Sequence, residues 1–433
     1  MDIASFFVQA LNGLAAASSL FLVACGLSLI FGVTRIVNFA HGSFFMLGIY
    51  VAYSLESCIS PFLTSALGIV LSDTASQTSA YFLLLLCTAF VMGLFGALIE
   101  VLVLRRIYKA PELFQLLATF ALVLVIQDGT LWFWGPEDLL GSRAPGLGGA
   151  IDILGRRFPT YDLFLIAIGP FVLAILWWCL QRTRFGILVR AATQDREMLG
   201  ALGINPRHLF TTVFALGCAL AGLGGALQLP REPAHLGLDM TTIGDAFVVV
   251  VVGGMGSIPG AFVAALWIAE IKALCIALGT LEIWGMSFAF SKLTLVVEFL
   301  VMAGVLMIRP WGLLGKPQSA LRISTEYEAP LRPNETQAKL AWLAIGTALL
   351  AFPLLTDESS YSLVLGIDLA IAALFAASLH FIMGPAGMHS FGHATYFGVG
   401  AYSASMLVLR AGVPSEIALL VAPLISAIVA TPI

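Results

Sequence analysis

The sequence predicts an all-α fold: a polytopic helical integral membrane protein built as a parallel tandem repeat. Three observations carry this expectation. Of the 433 residues, 60% are hydrophobic and only 11% are charged, against about 45–50% and about 25% in soluble domains. Apolar runs near the roughly 20 residues that a bilayer crossing needs recur along the chain. A stretch near the start also returns without gaps near the end.

The candidate crossings, in order, are residues 7–31, 36–55, 81–104, 113–134, 164–180, 209–229, 258–279 and 291–308. A shorter run, 243–255, ends in glycines. Residues 316–339 turn polar, with Pro330, Pro333 and three glutamates, and read as a cytoplasmic linker. Beyond it come runs at 340–355, 361–383, 394–409 and 417–429. The expected organisation is therefore a first transmembrane domain over 1–315, a linker over 316–339, and the N-terminal part of a second domain over 340–433.

Orientation follows from the basic residues. They cluster at Arg105, Arg106 and Lys109, at Arg182, Arg184, Arg190, Arg196 and Arg207, and again over 309–339. Cytoplasmic loops carry the excess of Lys and Arg, so all three clusters are expected inside. Parity then requires the short run 243–255 to cross as well, as a broken helix packed within protein. It also places the N-terminus outside, where Asp2 precedes any basic residue and no cleavable leader is expected. Arg143, Arg156 and Arg157 then fall outside, against the rule.

The repeat is found by sliding the chain on itself. Leu27, Ile30, Gly32, Phe39, His41, Phe45, Gly48 and Tyr50 each recur 352 positions later, as Leu379, Ile382, Gly384, Phe391, His393, Phe397, Gly400 and Tyr402. A tandem copy in the same orientation needs one extra crossing first, and 340–355 supplies it. Parallel repeats give two halves related by an axis along the membrane normal. The second copy stops early at Ile433, so the chain as given is expected to hold only its beginning.

Composition excludes several chemistries. A net charge of −4 provides no field for nucleic acid. The six cysteines stand alone, without metal-ligand or disulfide spacing. No Ser/His/Asp, HExxH or paired-carboxylate set is visible, so neither a catalytic residue nor a metal site is expected. Ionisable residues read within spans are Asp128, Glu270, Lys272 and Glu298, of which Asp128 and Lys272 lie near span ends, where snorkelling is the ordinary explanation. A secondary transporter, the competing class, would show a chain of such groups for ion coupling.

Three segments remain as candidates. Asn38-Phe39-Ala40-His41-Gly42 lies between two apolar runs, with Asn38 a good N-cap and His41 in the first turn of the next helix. That break is either a structural cap or a free helix N-terminus able to meet a carboxylate on a substrate path; Ser390 and His393 repeat it. Gly253, Gly254 and Gly256 belong to a glycine-dense segment that lacks the lysine of a phosphate loop. They either allow close helix packing or open backbone to the path. The loop 182–207 is amphipathic, with Arg184, Arg190 and Arg196 among Phe185, Ile187, Leu188, Met198, Leu199 and Leu202, a turn at Gly203 and a stop at Pro206. Such a face is buried on the membrane interface or on a partner.

Together these stretches resemble the permease family of ATP-driven branched-chain amino acid importers. The segment from Gly32 to Tyr50 is similar to the opening of the H-type subunit. Arg184-Phe185-Gly186, Arg190, Asp195, Ala201 and Leu202-Gly203-Ile204-Asn205 resemble its coupling loop. The segment from Phe247 to Ala261 is similar to its glycine-rich stretch, and that from Arg309 to Gly315 to its terminal motif. The second copy resembles the start of the M-type partner subunit. The resemblance implies an H-type permease fused to part of an M-type one, in a bacterial-type inner membrane. It implies two cytoplasmic ATPase subunits, which would use the ATP, and an extracytoplasmic solute-binding protein, with no cofactor in this chain. Its coupling residues would be Arg184, Gly186, Arg190, Asp195, Ala201, Gly203 and Ile204. Asn38, His41, Gly42, Gly253, Gly254, Gly256, Ser390 and His393 would lie near the path of a small-molecule substrate. Branched-chain or related amino acids are the expected cargo, with urea or short amides as the alternative.

Overall fold

The computed structural model describes residues 3–66, 74–108, 110–194, 196–283, 286–315, 336–355, 361–384, 387 and 392–431. They form two compact units, Met1–Leu321 and Arg322–Ile433.

The first unit is a helical bundle gathered around its first helix. α1 (Ile3–Thr34) is apolar on nearly every side, and Phe21, Leu22, Val23, Ala24 and Cys25 are fully buried. A helix apolar all round belongs inside. The chain then breaks at 35–40 and resumes as α2 (His41–Ala66) and α3 (Thr74–Ile99), which runs through a π-helical turn at Glu100–Leu104 into the short α4 (Arg105–Ile107). Next come α5 (Glu112–Trp134), a hairpin of β1 (Ala150–Ile153) and β2 (Arg156–Pro159), and α6 (Thr160–Arg182). Leu154 and Gly155 both take left-handed backbone, as a tight two-residue hairpin turn demands. α7 (Arg184–Gln194) and α8 (Arg196–Ala201) lead into α9 (Pro206–Gln228), α10 (Leu238–Gly253) and α11 (Ile258–Leu278). A second hairpin, β3 (Thr280–Ile283) with β4 (Met286–Ala289), precedes α12 (Thr294–Ile308).

Small residues set the interhelical distances. A Cβ added to Gly48 of α2 would lie 2.5 Å from Cα and 2.7 Å from the carbonyl oxygen of Gly222 in α9. One added to Gly26 of α1 would lie 2.6 Å from the Gly217 carbonyl oxygen in α9. Helices associating in lipid gain from such close backbone approach, because apolar side chains alone are no more attractive than lipid tails. The outward faces of α3, α5 and α6 instead carry exposed Leu86, Phe90, Phe114, Val125, Trp177 and Trp178, as a lipid-facing surface should. Among the described residues, seven helices are long and apolar enough to cross a membrane: those within α1, α3 with its extension, α5, α6, α9, α11 and, in the second unit, α14 (Tyr361–Met383).

Several boundaries differ from expectation. The run read from residue 36 becomes helical only at His41, because Arg35 takes left-handed backbone (φ 59°). The short run 243–255 is a helix that begins earlier, at Leu238, and spans sixteen residues, or about 24 Å. Pro206 does not stop a helix but opens α9, with Asn205 Oδ1 accepting the Arg207 N–H at 3.0 Å. Proline at a first helical position sacrifices no hydrogen bond. Lys272 does not snorkel: its ammonium lies 2.7 Å from Asp245 and 2.5 Å from Glu298, joining α10, α11 and α12.

The second unit contains α13 (Thr336–Leu355), α14, α15 (His393–Leu409) and α16 (Ser415–Ala430). α13 starts at Thr336, inside the stretch read as linker; residues 316–335 lie outside the described residues. α15 packs on α16, where Ser426 Oγ donates to the Tyr396 carbonyl at 3.1 Å.

Candidate functional site

The break between α1 and α2 is built from local hydrogen bonds. Asn38 Oδ1 accepts the Ala40 N–H at 3.1 Å and the Asn38 carbonyl accepts the His41 N–H at 3.2 Å. Asn38 therefore caps the turn that leads into α2, three residues ahead of the first helical residue. His41 is fully buried, with Nε2 3.0 Å from the Val23 carbonyl of α1. Gly42 is pressed on α10: a Cβ there would collide with the Asp239 carbonyl and come within 2.8 Å of Ile243 Cβ. Asp239, 1% exposed, accepts from Gln127 of α5 at 3.0 Å and from Ser43 of α2 at 3.3 Å. These bonds tie three helices around the break.

The repeat has the same local design in the second unit. His393 opens α15 as His41 opens α2, and its Nε2 lies 2.7 Å from Ser378 Oγ. Ser378 stands 352 positions after Gly26, which lies against His41, and Phe375, stacked 5.2 Å from His393, stands 352 positions after Val23. Ser390 lies outside the described residues.

The glycine-dense segment is a packing joint. A Cβ on Gly253 would strike Gly260, and Gly254, with φ 102°, lies against Gly315 and Gly312. Leu313 and Leu314 donate their N–H groups to the carbonyls of Val252 and Gly253 at 2.8 and 3.0 Å. Gly256 meets Gly32 across α1. The segment thus joins the end of α10 to the 309–315 motif.

Asn38, His41, Gly42, Gly253, Gly254 and Gly256 do not line a cavity that the first unit contains. That cavity, about 690 Å³, lies between α1, the 229–237 loop, α10 and α11. From α1 come Gln9, Asn12, Ser19 and Val23; from α10, Thr241, Thr242 and Asp245; from α11, Lys272 and Ile276. Arg231, Glu232 and His235 of the loop join them, with Phe45 of α2 on the apolar side. His41 sits directly behind this wall, bonded to Val23 and one turn before Phe45. Asn38 lies elsewhere, on a crevice of about 10 Å³ with Thr34, Tyr108, Thr119 and Phe214.

Of the polar cavity residues only Lys272 stood out in the sequence, although a signal for others existed. Gln9, Asn12 and Ser19 on α1, three and seven residues apart, and Thr241, Thr242 and Asp245 on α10, within one turn, each fall on one side of their helix. Such a polar stripe on an apolar span marks a face turned away from lipid. Glu100 was missed too: fully buried in the π turn, it accepts from Arg105 at 2.9 Å and from Thr211 at 2.7 Å.

The segment between α6 and α9 forms an exposed ledge. Gly186, Val189, Ala192 and Leu199 are buried, whereas Arg184, Ile187, Arg190, Met198 and Leu202 are exposed. Gly186 leaves no room for a side chain against the Leu180 backbone, and Arg190 donates to the Leu180 carbonyl. Ala201 ends α8, Gly203 turns with φ 81°, and the Ile204 N–H returns to the Leu199 carbonyl at 3.3 Å. Asp195 lies outside the described residues.

Residues 9–306 match the family described as branched-chain amino acid transport system permease component. The chain is similar to the high-affinity branched-chain amino acid transport system permease protein BraD of Pseudomonas aeruginosa, with 27% identity over 73% of this chain and 98% of that protein. Its similarity to the corresponding protein LivH of Escherichia coli is 26%, over 72% of this chain and 96% of the relative. The permease protein LivM of the same organism is 25% identical over 58% of this chain and 60% of its own length. No solved structure matches the chain.

Proposed function

The chain belongs to the family of branched-chain amino acid transport system permease components, and from that premise we propose that it is the translocating membrane subunit of an ATP-driven importer for branched-chain or related amino acids. It performs no covalent chemistry of its own. It passes the solute inward by alternating access, receiving it from an extracytoplasmic binding protein and drawing work from two cytoplasmic ATPase subunits. In this reading the N-terminus is outside, and the 1–315 domain is an H-type permease joined through 316–339 to the N-terminal part of an M-type one.

The observation that carries the reading is the ledge of α7 and α8. It is anchored to the body by Gly186, Val189, Ala192 and Leu199, yet presents Ile187, Met198 and Leu202 among Arg184 and Arg190. An exposed apolar stripe flanked by basic groups is a helix face suited to a groove on a partner. Its position between two spans lets a partner's closure push directly on α6 and α9. The test is charge reversal: Arg184→Glu with Arg190→Glu should abolish co-purification of the ATPase while leaving membrane insertion intact. Undiminished ATPase association in that variant would refute the coupling assignment.

A further inference from the structure

The cavity of the first unit carries both signs of charge, and each sign has unused bonding capacity. Arg231 engages Asp162 through Nε at 3.1 Å, and its two terminal amino groups make no hydrogen bond among the described residues. The Glu232 carboxylate lies 4.0 Å from His235 Nε2, beyond hydrogen-bond reach. Asp245 and Lys272 face the same space, locked to each other. Deeper in, Ser19 is 4% exposed, lines the cavity, and makes no hydrogen bond among the described residues. Gln228 Oε1, on the same wall, is buried without a partner. Buried polar atoms are ordinarily bonded, so the Gln228 oxygen, with the unbonded Ser19 hydroxyl also lining the cavity, points to a polar occupant.

Gln9, Asn12, Thr241 and Thr242 add neutral polar lining, and an apolar part comes from Leu20, Val23, Phe45, Leu238 and Ile276. The volume, about 690 Å³, falls within the range of small-molecule sites, roughly 300–1,000 Å³. We propose that this cavity is a transit site for an α-amino acid held as a zwitterion, its carboxylate toward Arg231, its ammonium toward Glu232 and Asp245, and its side chain on the apolar wall. A neutral solute such as urea or a short amide has no use for separated charges of both signs. A zwitterion needs both, and the pairing of Arg231 with Asp162 and of Lys272 with Asp245 keeps the unloaded site from binding a simple ion of either sign tightly. The inference rests on the amino acid importer reading above and adds the site to it.

The experiment uses the full chain in lipid nanodiscs without binding protein, with saturation-transfer NMR as the readout of weak binding. The probes are leucine, 4-methylpentanoate, which lacks the ammonium, isopentylamine, which lacks the carboxylate, and the neutral 4-methylpentanamide. Leucine should bind about tenfold more tightly than each analogue, since each loses one charge-assisted contact. Arg231→Gln should lower leucine affinity to that of isopentylamine, and Glu232→Gln, at a half-buried position, should weaken leucine and leave isopentylamine weaker still. Equal binding of leucine and 4-methylpentanamide to the wild-type chain would overturn the site without any variant having to fold. Uptake of radiolabelled leucine by the importer reconstituted with its ATPase and binding protein separates the two claims. No uptake with charge-dependent binding retained would overturn the importer reading alone; normal uptake with charge-independent binding would overturn the transit site alone.

Discussion

Arg35 reaches across from the α1–α2 break to donate through its guanidinium to the carbonyl of Thr193, at 3.3 Å, in the last turn of α7. It does so from left-handed backbone, φ 59°, which costs a residue with a Cβ roughly 1–2 kcal/mol. A cation at a helix C-terminus meets the negative end of the helix dipole. The bond links the ledge proposed for the ATPase to the turn that carries Asn38 and His41.

Cutting that link should separate ATP hydrolysis from transport. Arg35→Ala is expected to lower solute uptake several-fold per ATP hydrolysed while the ATPase stays bound. Arg35→Gly should reduce uptake equally, yet melt at a temperature no lower than Arg35→Ala, because glycine relieves the backbone. Parallel uptake, ATPase and melting measurements on the reconstituted complex check this; an unchanged uptake-to-hydrolysis ratio in both variants would refute it.

Lys272 holds two carboxylates whose side chains are 31% and 2% exposed, those of Asp245 and Glu298. Lys272→Met leaves them facing each other without a cation, and removing one partner of a buried pair costs about 3 kcal/mol. The triple change Lys272→Met, Asp245→Asn and Glu298→Gln removes the uncompensated charge and should recover most of that loss. Thermal unfolding in one detergent, wild type against both variants, gives the comparison.

Gly48 and Gly129 form a matched pair of helical glycines. Gly48→Ala drives a methyl into the Gly222 backbone, whereas nothing lies within 4 Å of a Cβ at Gly129. The first should sharply reduce the yield of folded protein. The second should be neutral or stabilise by up to about 1 kcal/mol, the helix preference of alanine over glycine. Size-exclusion profiles and melting temperatures after identical extraction decide it.

The spans were legible because hydropathy dictates them: the runs 113–134 and 361–383 match α5 and α14 residue for residue or within one. The recurrence was legible in the residues themselves, since His41 and His393 are rare residues that each open a helix. What escaped was polar chemistry carried by single residues. Asp239 lies only four residues before the apolar run that begins at Ile243, so the run was started too late and the helix that buries this carboxylate was cut short. Lys272 looked peripheral because distance along α11 says nothing about Asp245 and Glu298 on neighbouring helices. The β3–β4 hairpin falls in the gap between the runs 258–279 and 291–308, where Thr280, Glu282 and Ser287 interrupt the apolar composition without a period that marks strands.

The recurring histidines differ in how far their proton is fixed. A carbonyl oxygen only accepts, so the bond from His41 to Val23 places a proton on Nε2. Ser378 Oγ stands 2.7 Å from both His393 Nε2 and the Phe375 carbonyl, and its single hydroxyl proton serves one or the other. In both imidazoles Nδ1 is buried without a hydrogen-bond partner among the described residues. The recurring segment has kept a histidine at the start of its helix through a change of partner from a backbone carbonyl to a serine hydroxyl, leaving each unit with an unmatched ring nitrogen at that point.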